Sequence, residues 1–170
     1  MAQGGRVVVG VSGSLRNLTA LHRGVDEGRR RGAEVLAVLA WTPPACELGY
    51  RRAPWPPPLL RDGEKAAAGR LERAFLDAFG GCPPDLRVCL ATACGETGWA
   101  LTRLADRPDD LLVIGTGRQR RLPRLFHGGV ARYCLAHARC PVLAVPPSEL
   151  MRDLGRTSRL LDEPPLRHAA

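Results

Sequence analysis

The sequence predicts one α/β domain built on a doubly wound, mostly parallel five-stranded sheet, Rossmann-like in arrangement. Five short apolar segments alternate with segments in which apolar residues recur at helical spacing. The first strand segment, Arg6–Val11 (RVVVGV), is a nearly continuous β-branched run, which is typical of a parallel strand buried on both faces. This alternation implies crossovers of helical length, which place helices on both faces of the sheet.

The first half of the chain supplies two strands and two helices. After the first strand, Leu18, Leu21 and Val25 recur at helical spacing, and Gly32 is a suitable helix stop. The next apolar run, EVLAVLAW, is the second strand, and a further helical pattern ends near Phe79. The predicted ranges are strand 6–11, helix 17–32, strand 34–41 and helix 64–79.

Residues 42–63, between the second strand and the second helix, are predicted to be irregular. They include the proline cluster Pro54–Pro58. Proline lacks a backbone N–H donor and has a fixed φ, so it is poorly suited to regular structure. We therefore interpret 42–63 as a surface excursion at the carboxyl end of the second strand.

The second half continues the same alternation. Leu101, Leu104 and Ala105 share one face of a helix, and the apolar run Leu111–Ile114 reads as a buried strand. The predicted ranges are strand 85–91, helix 96–105, strand 111–114, helix 130–137 and strand 142–145. The domain is thus assigned to residues 1–146. The polar tail 147–170 is expected to be partly disordered, with a short amphipathic helix as an option over 148–161.

Composition limits the classes of function. The N-terminal residues lack a secretory signal, and no apolar run approaches the roughly 20 residues that span a bilayer. A cytoplasmic protein with no membrane partner is therefore expected. The net charge is +8, carried almost wholly by arginine. The sequence has no recognised nucleic-acid motif and few aromatic residues to stack on bases, so no specific nucleic-acid partner is expected.

Six cysteines are present, and none forms a CxxC pair. The spacing of Cys134, His137 and Cys140 resembles a metal site, but it offers three ligands where structural zinc usually has four. We expect no bound metal there, since small buried cysteines are common in cytosolic proteins.

The segment from Asp109 to Pro146 is the most informative for function. An apolar strand leads into a loop with Gly115 and Gly117, then an arginine-rich stretch, then Gly128-Gly129 at the start of a helix. This order places flexible backbone and a helix N-terminus just beyond the carboxyl end of a buried strand. Nucleotide phosphates are commonly held at that place in open α/β sheets.

The chain from Arg6 to Pro146 resembles the universal stress protein family. The resemblance is carried by VVVGVSGS, by GAEVLAVLAW and by LLVIGTGRQRRLPRLFHGGVARYCLAHARCPVLAVP. It implies a stress-response domain of strand order 3-2-1-4-5 that binds ATP or another adenine nucleotide, with Mg as an optional companion. It also implies a homodimer formed through the last strand.

Members of this family that bind ATP carry G-x2-G-x9-G-[ST] after strand four. In this chain Gly115 and Gly128 match, whereas Arg118 replaces the second glycine and Gly129 the hydroxyl residue. Ser12 stands where the family usually has Asp. Gly117 can take over the turn, and Gly129 still offers a backbone N–H at the helix start. We expect weaker nucleotide affinity than in relatives with the complete motif.

The resemblance places the adenine between the ends of strands one and two, and the phosphates at the loop after strand four. Arginines 118, 120, 121 and 124 could add charge-assisted hydrogen bonds to a phosphate. The candidate nucleotide-binding residues are Gly10, Val11, Ser12, Ala40, Ile114, Gly115, Gly117, Arg118, Gly128, Gly129 and Val130.

Two alternatives stay open at this point. If the glycines serve only to turn the chain, the protein is a nucleotide-free dimeric adaptor of the same fold. An enzymatic reading rests on Gly10-Val11-Ser12-Gly13-Ser14, a near miss for the nucleophile elbow G-x-S-x-G. Because no suitable His and acid pair follows, we expect no catalytic residues.

The last strand, Val142–Val145, is apolar and ends the sheet. An apolar edge strand is prone to pair with another chain, so we expect a homodimer in which this strand meets its symmetry mate. Replacing Leu143 with proline is predicted to weaken that dimer, because proline removes a ladder donor.

Overall fold

A computed structural model describes residues 5–12, 18–43, 57–116 and 129–148. The elements are β1 (Val7–Gly10), α1 (Leu18–Arg31), β2 (Val35–Trp41), α2 (Pro57–Phe79), β3 (Val88–Cys94), α3 (Thr97–Leu104), β4 (Leu111–Gly115), α4 (Val130–His137) and β5 (Val142–Val145). The five strands form one sheet in the order β3-β2-β1-β4-β5, and every neighbouring pair is parallel. The predicted fold class and strand order are confirmed.

The sheet separates two apolar cores. Side chains of alternate β1 residues point to opposite faces, as the period of a strand requires. Val7 and Val9 pack with α1 and α2 in the larger core, and Val8 packs with α3 and α4 in the smaller one. All three valines are fully buried, so β1 is the central strand of the domain.

Helix α1 meets the sheet at two glycines, Gly24 and Gly28. A Cβ added at Gly24 would lie 2.3 Å from Cγ2 of Val9, and one added at Gly28 would lie 2.5 Å from Cγ2 of Val35. No side chain fits in either gap without movement of the strand. The absence of a Cβ at these two positions therefore fixes the distance between α1 and the sheet.

Replacing Gly24 with alanine should lower the free energy of unfolding by about 1–3 kcal/mol, because overpacking against buried Val9 outweighs the better helix propensity of alanine. Gly69, on α2, is the matched control, since a Cβ there meets no described residue within 4 Å. Gly69→Ala should stabilise the protein by about 0.5–1 kcal/mol. Urea denaturation measures the free energy of unfolding of both variants. Equal changes in the two would contradict the tight packing of α1 on Val9.

Two predicted elements were wrong by more than one residue at an end. Helix α2 begins at Pro57, so residues 57–63 of the segment predicted to be irregular are helical. Proline is tolerated in the first turn of a helix, where its missing N–H would have no intrahelical acceptor. The ring of Trp41 also packs on α2 at Gly63, where a Cβ would lie 2.3 Å from it.

Strand β3 is displaced by three residues from its predicted range of 85–91. Its seven residues pair in register with all seven of β2, from Val35 with Val88 to Trp41 with Cys94. Gly95 then ends the strand with a φ of 139°, a value that favours glycine. Pairing with β2, rather than local hydrophobicity, decides where β3 lies.

A buried ion pair joins β1 to β4 at the amino edge of the sheet. Asp110 has no exposed surface, and its carboxylate accepts hydrogen bonds from Nε of Arg6 (3.2 Å), from Nη2 of Arg6 (2.8 Å) and from the Arg6 backbone N–H (3.0 Å). The backbone N–H of Arg107 adds a fourth bond at 3.3 Å. This network lies at the end of the strands opposite to the candidate site.

Among the residues that the structure describes, no helix combines the length and the apolar character needed to cross a membrane.

Candidate functional site

The candidate site lies where the strand order reverses. From β1 the chain crosses to β2 on one side, whereas β4 occupies the other side of β1. Helices α1 and α4, which follow β1 and β4 in the chain, pack on opposite faces of the sheet. In such sheets the crevice beyond the carboxyl edge at the switch point is the usual ligand position. The residues at this crevice are Val11 and Ser12 after β1 and Gly115 and Thr116 at the end of β4.

The predicted adenine-side residues differ in accessibility. Gly10 and Val11 are buried, Ser12 is exposed, and Ala40 is half-buried at the end of β2. The backbone N–H of Val11 donates to the carbonyl of Val38 at 2.8 Å, which holds the end of β1 against β2. Ser12 and Ala40 are thus the side chains of this group that a ligand can reach.

The smaller core occupies the space over Gly10. A Cβ at Gly10 would lie 2.8 Å from Cδ1 of Leu101 and 3.6 Å from Cγ2 of Ile114. Ile114 itself is 2% exposed. Gly10 and Ile114 therefore shape the floor of the crevice, and neither offers a side chain to a ligand.

The predicted phosphate side contains the start of helix α4. Gly129 is the N-cap of α4, with φ −58° and ψ 155°, and no side chain caps the helix. Its carbonyl accepts the first helical bond, from the N–H of Tyr133 at 3.1 Å. The N–H groups of the first turn have no acceptor within the helix, so they favour an anion.

No described residue blocks a side chain at Gly129. Within the described ranges, nothing lies within 4 Å of a Cβ built there, and its φ is one that any residue adopts. Gly129 and Val130 are both exposed. The family hydroxyl that this chain lacks would therefore fit at residue 129.

Helix α4 is held in place by close packing on α3. A Cβ at Gly98 would lie 2.7 Å from Cδ1 of Tyr133, so the two helices approach closely at this point. Cys134 is fully buried on the same side, with its Sγ 4.0 Å from the carbonyl oxygen of Gly98. A fixed α4 gives the N–H groups of its first turn a fixed position.

Sequence reasoning missed two residues at this edge, Thr116 and Arg132. The N–H and hydroxyl of Thr116 both donate to the carbonyl of Val145, at 2.8 and 3.3 Å, which ties the exit of β4 to the end of β5. Arg132 is exposed in the first turn of α4 and brings a positive charge there. The helical spacing of Arg132 from Gly129 could have revealed it, whereas the contact of Thr116 depends on strand pairing.

A family model described as the universal stress protein family matches residues 5–146. The chain belongs to this family. Universal stress proteins from Mycobacterium tuberculosis (strain H37Rv) and Mycobacterium bovis are each 30% identical to it over 141 residues, which is 81% of this chain and 42% of theirs. The chain therefore spans less than half the length of these relatives.

Solved structures of universal stress proteins share the fold. One, determined in complex with cAMP, is 26% identical, covers 86% of this chain and 100% of its own, and superposes with a TM-score of 0.55. A universal stress protein from Archaeoglobus fulgidus is 20% identical, covers 83% and 98% of the two chains, and has a TM-score of 0.53. At 20% identity, the similarity to the Archaeoglobus fulgidus protein concerns the fold alone.

Part of the universal stress protein motif lies outside the described residues. The predicted site residues Gly117, Arg118 and Gly128 fall there, as do Gly13 and Ser14 of the serine motif. Of the four motif positions, the structure places Gly115 at the end of β4 and Gly129 at the start of α4.

Cys134 and Cys140 lie in the same apolar core, but the two cysteines and His137 do not form a cluster of three ligands. Burial raises the pKa of Cys134 to about 11, with a further contribution from Cys140, so its thiol stays protonated. His137 is exposed and its ring stacks on that of Tyr133, with centroids 4.1 Å apart. Within the described ranges, no group of three His, Cys, Asp or Glu residues is arranged to hold a metal.

Proposed function

We propose that this protein is a cytoplasmic universal stress protein that binds an adenine nucleotide and does not act as an enzyme. The observation that carries the proposal is the helix start at Gly129, which no side chain caps and whose first-turn N–H groups have no acceptor within α4. The structural relative with cAMP bound, at 26% identity, supports an adenine nucleotide as the ligand class.

The two ends of the nucleotide would use different parts of the crevice. The phosphates would meet the N–H groups of Gly115, Gly129 and Val130, where the α4 dipole favours negative charge. The adenine would lie near Ser12 and Ala40, the accessible residues at the ends of β1 and β2. ATP is the proposed nucleotide, and Mg would accompany it as a phosphate-bound ion.

Isothermal titration with ATP, AMP, cAMP and GTP tests this proposal. Binding of the adenine nucleotides with GTP clearly weaker is the expected result. Val130→Asp should abolish binding, because a carboxylate in the first turn of α4 would repel the phosphates and occupy their N–H donors. Leu135→Asp, on the same helix at a residue that is 63% exposed, is the control and should bind normally. Equal affinity of both variants would contradict the proposed phosphate position.

We also propose a homodimer through β5, and the structure changes the variant that best tests it. The N–H groups of Leu112 and Thr116 donate to the carbonyls of Pro141 and Val145. Alternate residues of a parallel strand face the same neighbour, so the backbone of Leu143 also faces β4. The N–H of Ala144 points away from β4, toward a second copy.

Ala144→Pro should therefore convert the dimer to a monomer with little loss of monomer stability, since it removes an outward donor on an edge strand. Leu143→Pro should instead lower stability, because it removes a bond between β4 and β5. Light scattering and thermal denaturation of the two variants separate these effects. A dimer that persists in Ala144→Pro would place the interface elsewhere.

A further inference from the structure

The edge of the sheet opposite β5 forms a groove with α2. The groove has a volume of about 600 Å³ and lies between one face of α2 and residues Leu90–Thr92 of β3. Leu90 is 39% exposed at its wall, and Leu71 is fully buried at its base. This groove is at the far side of β2 from the nucleotide crevice.

Strand β3 is an edge strand of the sheet in the part of the chain that the structure describes. The N–H of Val35 donates to the carbonyl of Arg87, and the N–H of Gly95 donates to the carbonyl of Trp41. These two hydrogen bonds set the register of β3 against β2. Because alternate residues face β2, the backbone groups of Leu90 and Thr92 face outward. Val88–Cys94 contains no proline and no charged residue, the usual devices that prevent an edge from pairing.

The wall of the groove formed by α2 has opposite charges at its two ends. Arg61 and Lys65 lie toward the start of the lining face, with Glu64 between them, and Glu72 lies toward its end. All four side chains are exposed. Arg61 and Glu72 are eleven residues apart, or about 16 Å at 1.5 Å per residue, which equals about five residues of extended strand.

We propose that this groove binds a second copy of the chain, with β3 antiparallel to β3 and α2 alongside α2. A two-fold axis reverses the direction of the second α2, so Arg61 and Lys65 of each copy face Glu72 of the other. Such an interface is isologous, because both copies use the same surface. The rotation brings the positive end of the groove in one copy against the negative end in the other. The outward backbone of Leu90 meets that of Thr92 across the axis.

This contact is independent of the one proposed at β5. A chain that pairs through both edges of its sheet builds an open-ended assembly rather than a closed one. Association beyond the dimer is therefore expected in the wild type as its concentration rises.

Sedimentation equilibrium in the Ala144→Pro background tests the proposal at about 100 µM protein, which detects micromolar dissociation constants. The background variant should still dimerise. Arg61→Glu alone and Glu72→Arg alone should each weaken that dimer at least about tenfold, because like charges then face each other. The double variant should restore the affinity of the dimer, because residues 61 and 72 then carry opposite charges again, with the signs exchanged on both copies.

Two control variants change the net charge equally at exposed positions of α2 outside the groove lining, Arg70→Glu and Asp77→Arg, and should leave association unchanged. If Ala144→Pro disturbs the circular dichroism spectrum, the groove and control variants are made in the wild-type chain instead. The quantity measured is then association beyond the dimer. A monomeric background, or a double variant no better than the single ones, would overturn the proposal. Binding of an unrelated extended peptide in the groove without self-association would also overturn it.

Discussion

Replacing Asp110 with alanine is expected to lower the free energy of unfolding by about 3 kcal/mol, the largest stability effect that we predict. The variant leaves the guanidinium of Arg6, whose side chain is 20% exposed, without its buried partner. It also removes the acceptor for the backbone N–H groups of Arg6 and Arg107.

Asp106 provides the matched control for Asp110. Its carboxylate contacts the same Nη2 of Arg6 at 2.9 Å, but its side chain is 63% exposed. Asp106→Ala should cost only about 0–1 kcal/mol, since solvent screens exposed ion pairs. Chemical denaturation of both variants measures the difference, and similar losses would show that burial of Asp110 contributes little.

The pH dependence of stability gives a second check on Asp110. Burial raises the pKa of this carboxyl, but the hydrogen bonds from Arg6 and Arg107 outweigh burial and hold the pKa below its usual value. A carboxyl with a lowered pKa in the folded state contributes stability above its unfolded pKa, near 4, and loses it as the pH falls through the folded value. The stability difference between wild type and Asp110→Asn should therefore shrink below about pH 4.

Restoring the family motif is expected to give the largest change in ligand affinity. Gly129→Ser together with Arg118→Gly should tighten ATP binding about ten- to a hundredfold, the effect of about 1.5–3 kcal/mol from one hydroxyl bond to a charged phosphate. No described residue lies within 4 Å of a Cβ built at Gly129, so the serine would displace none of them.

Gly129→Ala is the control for this experiment, because it adds the Cβ without the hydroxyl. It should leave the affinity near that of the wild type in calorimetric titrations. If the arginines have taken over the phosphate contacts, Arg118→Gly alone should weaken binding. An equal gain from alanine and serine at residue 129 would show that the hydroxyl does not reach the phosphate.

The predicted elements were most accurate where local sequence determines both ends. The ranges of α4 and β5 match the structure, β1 differs by one residue at each end, and β2 and β4 differ by one residue at one end. The start of α2 was missed because a proline pair reads as irregular, although a first helical turn accepts it. The range of β3 was missed because its limits depend on pairing with β2, which lies more than forty residues earlier.

The sequence predicts at which edge of the sheet the candidate site lies, but it does not predict the side-chain contacts that line the site. The alternation of strands and helices indicates which ends of β1 and β4 meet at the switch point. Nothing in the local sequence indicates that Leu101 fills the space over Gly10, or that Thr116 bonds to Val145. Those contacts depend on how α3 and β5 pack, so they appear only once the chain is folded.

The central claim is that an adenine nucleotide binds at the carboxyl edge between β1 and β4. The most direct test is to follow backbone amide resonances of the ¹⁵N-labelled protein during addition of ATP to millimolar concentration. The account predicts saturable shifts at Val11 and Ser12, at Gly115 and Thr116 and at Gly129 and Val130, with none at the amino edge around Asp110. Unchanged resonances at these six residues would contradict the claim and favour a nucleotide-free adaptor of the same fold.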